Sequence, residues 1–251
     1  MPKPAELIGA RASDYPELAN PVWQSLTEAH RALALDYGPA RFYPPDYCAF
    51  GALADPDTGA ARLAAYAALT AADFYIVGHR PALPASLRLR QELVCWQMLR
   101  DRPARPDDSP YDSPDDSPGS LATVMALGPE HATDLFGLVR LALPGFFQHK
   151  THLLGQYFGV FHAGQLVAAT GVRMQMRTFA EISGVATHPD FTRRGYAQQL
   201  VAHTADYLVG QGQLPYLHVA QTNVGAIALY EKLGFVKTRA MSFWQLTTQP
   251  A

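Results

Sequence analysis

The sequence predicts a mixed α/β (α+β) fold, with a mixed central sheet flanked by helices. Three observations lead to this class. Apolar residues make up 48% of the 251 residues and charged residues 17%, a balance typical of a chain that buries a globular core. After residue 120, strand and helix patterns alternate in the order β-α-β-β-β-α-β-α-β-β. Before residue 102, a shorter set of such patterns predicts a second, smaller α/β unit.

Composition narrows the classes of function. A formal net charge of -2 argues against a general electrostatic attraction to nucleic acid or to an anionic membrane. The N-terminal residues lack the apolar core of a secretory signal, and no apolar stretch reaches the roughly 18 residues of a membrane span. We therefore expect a cytoplasmic protein. Cys48, Cys95 and the nine histidines show no metal-ligand spacing, so we expect two buried free thiols and no metal.

The first hundred residues carry short patterns of both kinds. Helices are expected at 16–35 and 60–70, and strands at 47–53, 74–77 and 93–98. Asp-Pro-Asp-Thr-Gly at 55–59 predicts a turn, with Thr58 as a possible N-cap of the second helix. No motif with recognisable chemistry lies in this part of the chain.

A segment rich in Pro, Asp and Ser separates the two halves. It repeats Asp-Ser-Pro and has neither helical nor strand periodicity, so it cannot bury enough apolar surface to offset its ordering entropy. The sequence therefore predicts a half-domain at 1–101, a flexible acidic linker at 102–119 and a larger domain at 120–251.

The elements of the larger domain follow in a clear order. Strands are expected at 121–127, 158–161, 166–172, 181–187, 216–220, 235–236 and 241–246. Helices are expected from Pro129 onward, at 195–209 and at 225–233. His-Ala-Gly-Gln at 162–165 is typical of a hairpin turn.

The segment EISGVATHPDFTRRGYAQQLV, residues 181–201, places a short basic loop between a strand and a helix. A helix N-terminus presents unpaired backbone N–H groups and a partial positive charge, which favour a phosphate. Gly195 and Ala197 leave room for the backbone to approach an anion, and Arg193 and Arg194 add charge. A plain strand-to-helix turn with two solvated arginines is the alternative interpretation.

A second motif, QTNVGAIALYEKLGF at 221–235, follows a predicted strand. It resembles the N-x-x-A-x-x-L-Y-x-x-x-G-F hallmark of the GCN5-related N-acetyltransferase (GNAT) superfamily. The matching residues are Asn223, Ala226, Leu229, Tyr230, Gly234 and Phe235. With the preceding loop, the resemblance spans about residues 120–247. It is similar in particular to the glycine N-acyltransferase-like branch, whose catalytic half follows a degenerate N-terminal half-domain.

The resemblance implies a GNAT fold and transfer of an acetyl or other short acyl group from acetyl-CoA (acyl-CoA) to a primary amine. It implies that the backbone of Val185, Ala186 and Thr187 contacts the pantetheine and the acyl carbonyl. The pyrophosphate is expected at Arg193, Arg194, Gly195, Tyr196 and Ala197. Asn223 is expected to contact the pantetheine arm and to cap the following helix, and Tyr230 to protonate the leaving thiolate. Thr192 departs from the family, which usually has Gln or Arg there, and this puts cofactor affinity in doubt.

Glu181 is the best candidate for the base that deprotonates the amine, because it resembles the glutamate of the histone-acetyltransferase branch. Packing against Phe179 and Ile182 is expected to raise its pKa. Its alternative is an edge glutamate in a surface salt bridge. His188 is a second candidate base, although His-Pro-Asp after this strand is more typical of a turn. No Cys or Ser is expected near the site, so we expect direct transfer without a covalent intermediate.

The acceptor stays open: a small-molecule or a peptide amine fits the sequence. The aromatic content of the segments 144–147 and 149–152 indicates an apolar or flat acceptor pocket, although core packing explains it equally well. The N-terminal half is expected to cap that pocket, with dimerisation or completion of the core as the alternatives. A non-catalytic acyl-CoA-binding sensor of the same fold is the rival interpretation. A P-loop or Rossmann nucleotide-binding protein is disfavoured, because neither glycine motif is present.

Overall fold

The computed structural model describes residues 15–57, 59–70, 72–101, 122–143 and 145–249. The α-helices are α1 (Pro21–Thr27), α2 (Ala60–Ala67), α3 (Ala132–Ala142), α4 (Tyr196–Gly210) and α5 (Val224–Lys232). The strands are β1 (Leu35–Asp36), β2 (Ala40–Phe42), β3 (Phe50–Leu53), β4 (Phe74–Val77), β5 (Leu87–Leu99), β6 (Val124–Leu127), β7 (Tyr157–His162), β8 (Gln165–Gln175), β9 (Phe179–Thr187), β10 (Leu214–Ala220) and β11 (Val236–Thr248). Short 3₁₀ turns lie at Pro16–Ala19, Arg31–Leu33, Pro129–His131, Thr151–Leu154 and Pro189–Phe191.

The strands of the described ranges form one sheet in the order β1-β2-β3-β4-β11-β5-β10-β9-β8-β7-β6. The pairs β3–β4 and β9–β10 are parallel, and the other pairs are antiparallel. The predicted mixed α/β fold with a central sheet flanked by helices is confirmed.

Strands from the two halves of the sequence interleave in this sheet. β5 lies between β11 and β10, and β11 in turn lies between β4 and β5. The β5–β11 ladder extends from Val236 opposite Leu99 to Thr248 opposite Leu87. The division into 1–101 and 120–251 stays a prediction, and the linker at 102–119 lies outside the described residues. The backbone hydrogen bonds of each half are nevertheless completed by the other half.

Alternating side chains assign the helices to two faces of the sheet. In β7, Tyr157 packs with α3 and the next residue, Phe158, packs with α4. In β5, Cys95 packs in the cluster of α1 and Met98 in the cluster of α4 and α5. In β4, Phe74 lies in the cluster of α2. We call the side of α1 and α3 the first face, and the side of α2, α4 and α5 the second face.

Apolar side chains on one side of α3 and of α4 are buried against the sheet. Leu200, Val201, Ala205 and Leu208 of α4 are buried, as are Leu135, Leu138 and Val139 of α3. Burial of each large aliphatic side chain contributes about 1.5–3 kcal/mol, so these contacts hold the helices against the sheet.

The predicted helix at 16–35 is wrong, because proline and buried polar groups divide this segment. Pro21 begins α1 and Asn20 caps it, its side chain accepting a hydrogen bond from the Trp23 N–H at 3.3 Å. After α1 the chain turns so that buried His30 forms hydrogen bonds to Tyr43, at 2.8 Å, and to the Leu154 carbonyl, at 3.0 Å. These distant partners are invisible to local periodicity.

The chain also ends differently from the prediction. Strands were expected at 235–236 and 241–246, and a single strand, β11, extends from Val236 through the second range. Lys237, Thr238 and Arg239 interrupt the apolar pattern, but β5 supplies hydrogen-bond partners along nearly the whole strand. The short strands β1 and β2 are not predicted at all, since two or three residues carry too little periodicity. Thr58, the proposed cap of α2, lies outside the described residues.

Two glycines with open surroundings test how backbone conformation contributes to stability. A Cβ added at exposed Gly137 in α3 or at Gly164 in the β7–β8 turn would meet no atom within 4 Å. Gly164 has φ +82 and Gly137 does not have a positive φ. We expect Gly137→Ala to stabilise the protein by about 0.5–1 kcal/mol and Gly164→Ala to destabilise it by about 1–2 kcal/mol in urea unfolding. Shifts of the same sign for both variants would contradict this account.

Candidate functional site

A wedge opens where β9 and β10 separate. The two parallel strands pair only from Leu214 opposite Phe179 to Tyr216 opposite Glu181. Beyond that point, β9 continues along β8 to Thr187, while β10 continues along β5 to Ala220. A pocket of about 370 Å³ lies in this wedge. Glu181 therefore stands at the apex of an opening between two strands of the same sheet.

The pocket joins the two faces of the sheet. On the second face it is lined by Ala197 of α4 and by Asn223, Ala226, Leu229 and Tyr230 of α5 or its cap. On the first face it is lined by Phe50, Leu93, Cys95, Val139, Leu143, Phe146, Phe147 and Phe243. Three of these residues, Phe50, Leu93 and Cys95, come from the first hundred residues, so both halves of the chain form the pocket.

A β-bulge shapes the β9 side of the wedge. Ala186 lies opposite Ala169 and Ser183 opposite Gly171, so β9 contains one residue more than β8 over this stretch. Gly184 adopts φ +65, and a Cβ there would lie 3.3 Å from the Tyr157 ring. A bulge interrupts regular pairing and redirects the backbone, so it changes the aim of the β9 peptide groups beside the wedge.

The N-terminus of α4 lies at one end of this arrangement. Its N-cap is Gly195, in the left-handed region at φ +76, and no side chain of the described residues caps the helix. Arg193 and Arg194 are exposed beside it, and the Arg194 guanidinium stacks 4.7 Å from the centre of the Phe191 ring. Uncapped amides, the helix dipole and two arginines together favour an anion.

The residues predicted to bind the cofactor lie at several places around the wedge. Val185, Ala197 and Asn223 line the pocket. Ala186 packs its side chain beneath α3, which leaves only its backbone available, and Thr187 ends β9. Arg193, Arg194, Gly195 and Tyr196 form the loop and first turn of α4. The Asn223 side chain accepts a hydrogen bond from the Ala226 N–H at 3.2 Å, which confirms its predicted capping role.

A row of polar side chains crosses four neighbouring strands at the apex. Arg173 of β8 donates two hydrogen bonds to Glu181 of β9, at 2.8 and 3.0 Å. Glu181 also accepts a hydrogen bond from Nδ1 of His218 on β10, at 2.9 Å. Nε2 of His218 lies 3.1 Å from the side-chain amide nitrogen of Gln97 on β5, which also donates to the Leu18 carbonyl. This nitrogen is a donor, so the imidazole accepts from it at Nε2 and donates to Glu181 at Nδ1.

The expected raised pKa of Glu181 is wrong. The side chain is 1% exposed, and burial alone would raise the pKa. The charge of Arg173 and the hydrogen bonds from His218 and Arg173 outweigh burial and lower the pKa to about 2. The ionisation of Glu181 is set by the paired Arg173 guanidinium and not by the expected contacts with Phe179 and Ile182. The alternative of a surface salt bridge is wrong as well, since the pair is buried.

The expectation that no Cys or Ser lies near the site is also wrong. Cys95 and Ser183 both line the pocket. Cys95 arrives there because β5, from the first half of the sequence, pairs with β10 and sets Cys95 opposite Ala220. Burial raises the pKa of the Cys95 thiol to about 12, so it stays protonated and is a poor nucleophile at neutral pH.

Tyr230 lines the pocket from α5, as a proton donor to a leaving group would. Burial raises the pKa of its phenol to about 12, so the hydroxyl keeps its proton throughout the neutral range. His188 lies elsewhere: its Nδ1 accepts from the Asp190 N–H at 3.3 Å in the turn after β9, and it does not line this pocket. The turn interpretation of His-Pro-Asp is confirmed.

Comparison with known proteins agrees with this geometry. Residues 128–235 match the model of the acetyltransferase (GNAT) family. A crystal structure of a GNAT-family protein from Novosphingobium aromaticivorans has a TM-score of 0.79 and 31% identity, covering 93% of this chain and 99% of that one. The chain belongs to the GNAT family. A GCN5-related N-acetyltransferase-like protein from Streptococcus suis, with a TM-score of 0.59 and 16% identity, covers 96% of this chain and 98% of that one, and shares the fold.

Curated relatives within the family match a shorter part of the chain. The [ribosomal protein bS18]-alanine N-acetyltransferase of Salmonella typhimurium is 38% identical over 74 residues, 29% of this GNAT chain and 50% of that protein. Its Escherichia coli counterpart is 36% identical over 70 residues, 28% of this chain and 47% of that protein. The chain thus spans about half the length of the curated relatives it matches.

The sequence interpretation of this GNAT chain misses Arg173 and His218. Each is a polar residue in an otherwise largely apolar strand, GVRMQ in β8 and LHVA in β10. A polar residue at such a position could have indicated a buried side chain with a polar partner. Their pairing with Glu181 depends on the order of the strands, which local patterns do not specify. Within the described ranges, no group of three or more His, Cys, Asp or Glu side chains is placed to hold a metal ion. None of the helices described is both long and apolar enough to span a membrane.

The apex ion pair predicts a distinctive stability pattern. Arg173→Met leaves the buried Glu181 carboxylate without its main partner, so we expect a loss of about 3–5 kcal/mol in urea unfolding at pH 7. The Arg173→Met/Glu181→Gln double variant removes the unpaired charge, and we expect it to be more stable than Arg173→Met alone.

The Arg173→Met deficit should also shrink in acid. The lowered pKa of Glu181 stabilises the wild-type fold above the ordinary value of 4.5, and this contribution is lost as the pH falls towards 2. A loss below about 1 kcal/mol for Arg173→Met, as for an exposed pair, would contradict the account.

Proposed function

We propose that this chain is an N-acyltransferase, which moves an acetyl or other short acyl group from acyl-CoA directly to a primary amine. One observation carries the proposal. A single pocket extends from the uncapped N-terminus of α4, through the wedge between β9 and β10, to the polar row at Glu181. Membership of the GNAT family supports the same conclusion.

The residues around the wedge fit acetyl-CoA. An added Cβ at Gly195 would meet nothing within 4 Å, so phosphate oxygens have room beside the first-turn amides of α4 and the charges of Arg193 and Arg194. Thr192 is the departure from the family pattern, and its hydroxyl already donates to the Pro189 carbonyl at 3.2 Å. Phosphate binding therefore depends on the two arginines and the backbone amides.

Further along the wedge, polar groups remain for the pantetheine arm. Asn223 uses its side-chain oxygen to cap α5, which leaves its amide N–H groups to donate to the cosubstrate. The backbone of Val185, Ala186 and Thr187 would hold the arm as an added strand would. The bulge at Gly184 changes the aim of the same peptide groups, so the Val185 or Ala186 N–H is the proposed donor to the acyl carbonyl.

The cosubstrate supplies an activated thioester, and the proposed work of the protein is positioning and proton transfer. Tyr230 is the proposed donor to the leaving thiolate, since its pKa of about 12 keeps the phenol protonated. Because the Cys95 thiol stays protonated and is a poor nucleophile, we propose direct transfer without a covalent intermediate. Glu181 keeps a place in the site as a positioning residue for Arg173 and His218. Its pKa of about 2 makes it a weak base for an ammonium group.

The finer parts of the proposal rest on sequence alone. They are the likeness to the glycine N-acyltransferase-like branch, the half-domain division at 102–119 and a cytoplasmic location. The acceptor is a small-molecule or peptide amine. The activity for which the curated relatives are named, on an alanine of ribosomal protein bS18, is compatible with the peptide alternative.

Calorimetric titration with acetyl-CoA tests the cosubstrate site. We expect the wild type to bind and Arg194→Ala/Gly195→Ala to bind about 10- to 100-fold more weakly, because charge-assisted phosphate contacts contribute about 1.5–3 kcal/mol each. The matched control is Arg177→Ala/Gly212→Ala. Gly212 lies just past the other end of α4, also has φ +76 and is equally open, and Arg177 is exposed as Arg194 is. The control should bind as the wild type does.

Two outcomes would contradict this assignment. Absence of binding by the wild type would remove the acyltransferase proposal. Equal losses in both double variants would show that the N-terminus of α4 is not the phosphate site. Tyr230→Phe distinguishes an enzyme from a sensor: an enzyme should keep its affinity and lose about 10²–10⁴-fold in rate, whereas a sensor has no turnover to lose.

The pH profile tests how the amine becomes neutral. Because Glu181 stays ionised above about pH 2, we expect kcat/KM to rise about tenfold per pH unit up to the pKa of the acceptor itself. The inflection should move when an acceptor of lower amine pKa is substituted. A plateau that begins near pH 6–7 for every acceptor would instead reveal a protein base with a raised pKa, and would contradict the positioning role of Glu181.

A further inference from the structure

We propose that the acceptor is a monoamine with an apolar body, aromatic or branched aliphatic, which binds at the first-face end of the pocket with its nitrogen directed towards the Arg173–Glu181–His218 row. This inference rests on the proposed function, and it adds a substrate class that the family membership does not define.

The two ends of the pocket lie on opposite faces of the sheet. Ala197 and the residues of α5 line the second-face end, where the proposed phosphate site also lies. Glu181 and His218 point the other way. Their sequence neighbours Ile182 and Val219 pack in the cluster of α4 and α5, and His218 contacts Phe243 in the cluster of α1. An acyl donor that enters from the second face therefore leaves the first-face end for the acceptor.

The first-face end of the pocket is lined mainly by apolar side chains. The Phe50 ring meets the Phe243 ring edge-on at 5.4 Å and the Phe146 ring at 6.1 Å. Leu93 and Phe147 complete the lining around them. Aromatic rings held edge-on by one another offer fixed flat surfaces, which favour an apolar guest over a hydrated polar one. Phe50 and Leu93 belong to the first half of the sequence, so that half provides part of the acceptor wall.

Charge in the pocket argues against acceptors with additional ionised groups. Glu181 is the one carboxylate among the described residues that line the pocket, and both its oxygens already accept from Arg173 or His218. A second ammonium group, as in a polyamine or an aminoglycoside, would be desolvated without an anionic partner. The charge of Arg173 is balanced by Glu181, so an acceptor carboxylate gains little from it. Unpaired charges in such a setting are strongly disfavoured, which selects a monoamine.

The volume adds a limit on size. About 370 Å³ is near the lower end for small-molecule pockets, and the acyl end of the cosubstrate shares it. A body of one ring or a short branched chain fits this space, whereas most of a multi-ring aminoglycoside would lie outside it.

The experiment is a free-thiol release assay on the full chain with acetyl-CoA and four amines: 2-phenylethylamine, 3-methylbutylamine, spermidine and kanamycin. We expect kcat/KM for the first two to exceed that for the polycationic pair by about 100-fold or more. Phe146→Ala should raise KM for 2-phenylethylamine about tenfold by removing apolar contact, while the calorimetric Kd for acetyl-CoA stays unchanged. The matched control is Phe136→Ala, a partly buried phenylalanine that does not line the pocket, and it should leave both quantities within about twofold.

Each alternative outcome has a distinct meaning. Spermidine or kanamycin turned over as well as 2-phenylethylamine would overturn the monoamine inference and leave the acyltransferase proposal standing. Acetyl-CoA binding without turnover of either apolar amine would also overturn the inference. Failure of the wild type to bind acetyl-CoA would overturn the proposed function itself. Equal KM changes in Phe146→Ala and Phe136→Ala would show a general structural effect instead of an acceptor contact, and would remove Phe146 from the acceptor wall.

Discussion

The structure depends above all on the backbone pairing of β5. This strand of 13 residues leaves the first half of the sequence and lies between β11 and β10, both from the second half. Without it, each of those strands would present a row of unpaired N–H and C=O groups, which is costly wherever water is excluded. The same strand carries Leu93 and Cys95 to the pocket and Gln97 to His218. One set of backbone hydrogen bonds therefore both joins the halves and forms the site.

The polar row at the apex of the wedge has the opposite character, since it is expensive to bury. Desolvation of a guanidinium and a carboxylate costs several kcal/mol, and only their close geometry and further hydrogen bonds offset it. Here the guanidinium donates twice to Glu181, and His218 and Gln97 extend the row across four strands. Such a row is ordered only when all four strands are in register. The charged state of Glu181 therefore depends on correct pairing of the strands at the point where β9 and β10 separate.

Several departures from regular secondary structure lie close together around that apex. β9 contains a bulge at Gly184, β9 and β10 stop pairing, and α4 follows Gly195 without a side-chain cap from the described residues. Each feature leaves backbone groups without the partners that regular secondary structure provides. Deviations of this kind are expected where a protein binds a ligand, because backbone groups that already form hydrogen bonds within the fold are not free to bond to a ligand. Their meeting in one pocket is why the geometry, together with family membership, supports a site for an anionic, extended cosubstrate.

The sequence by itself determined the fold class, most helices and strands of the second half, and the loop, cap and tyrosine around the wedge. Periodicity, glycine position and cap chemistry act over a few residues, so a local pattern is enough to detect them. Asn223 caps α5 as predicted, and α4 begins at Tyr196, one residue after its predicted start. Only the tertiary structure decided the ionisation of Glu181, the presence of Cys95 in the pocket and the continuity of β11. These properties depend on partners far along the chain: Glu181 owes its lowered pKa to Arg173 and His218, and β11 owes its length to β5. A pKa is set by desolvation and by neighbouring charges, and a strand is completed by its partners, so neither could be read before the order of the strands was known.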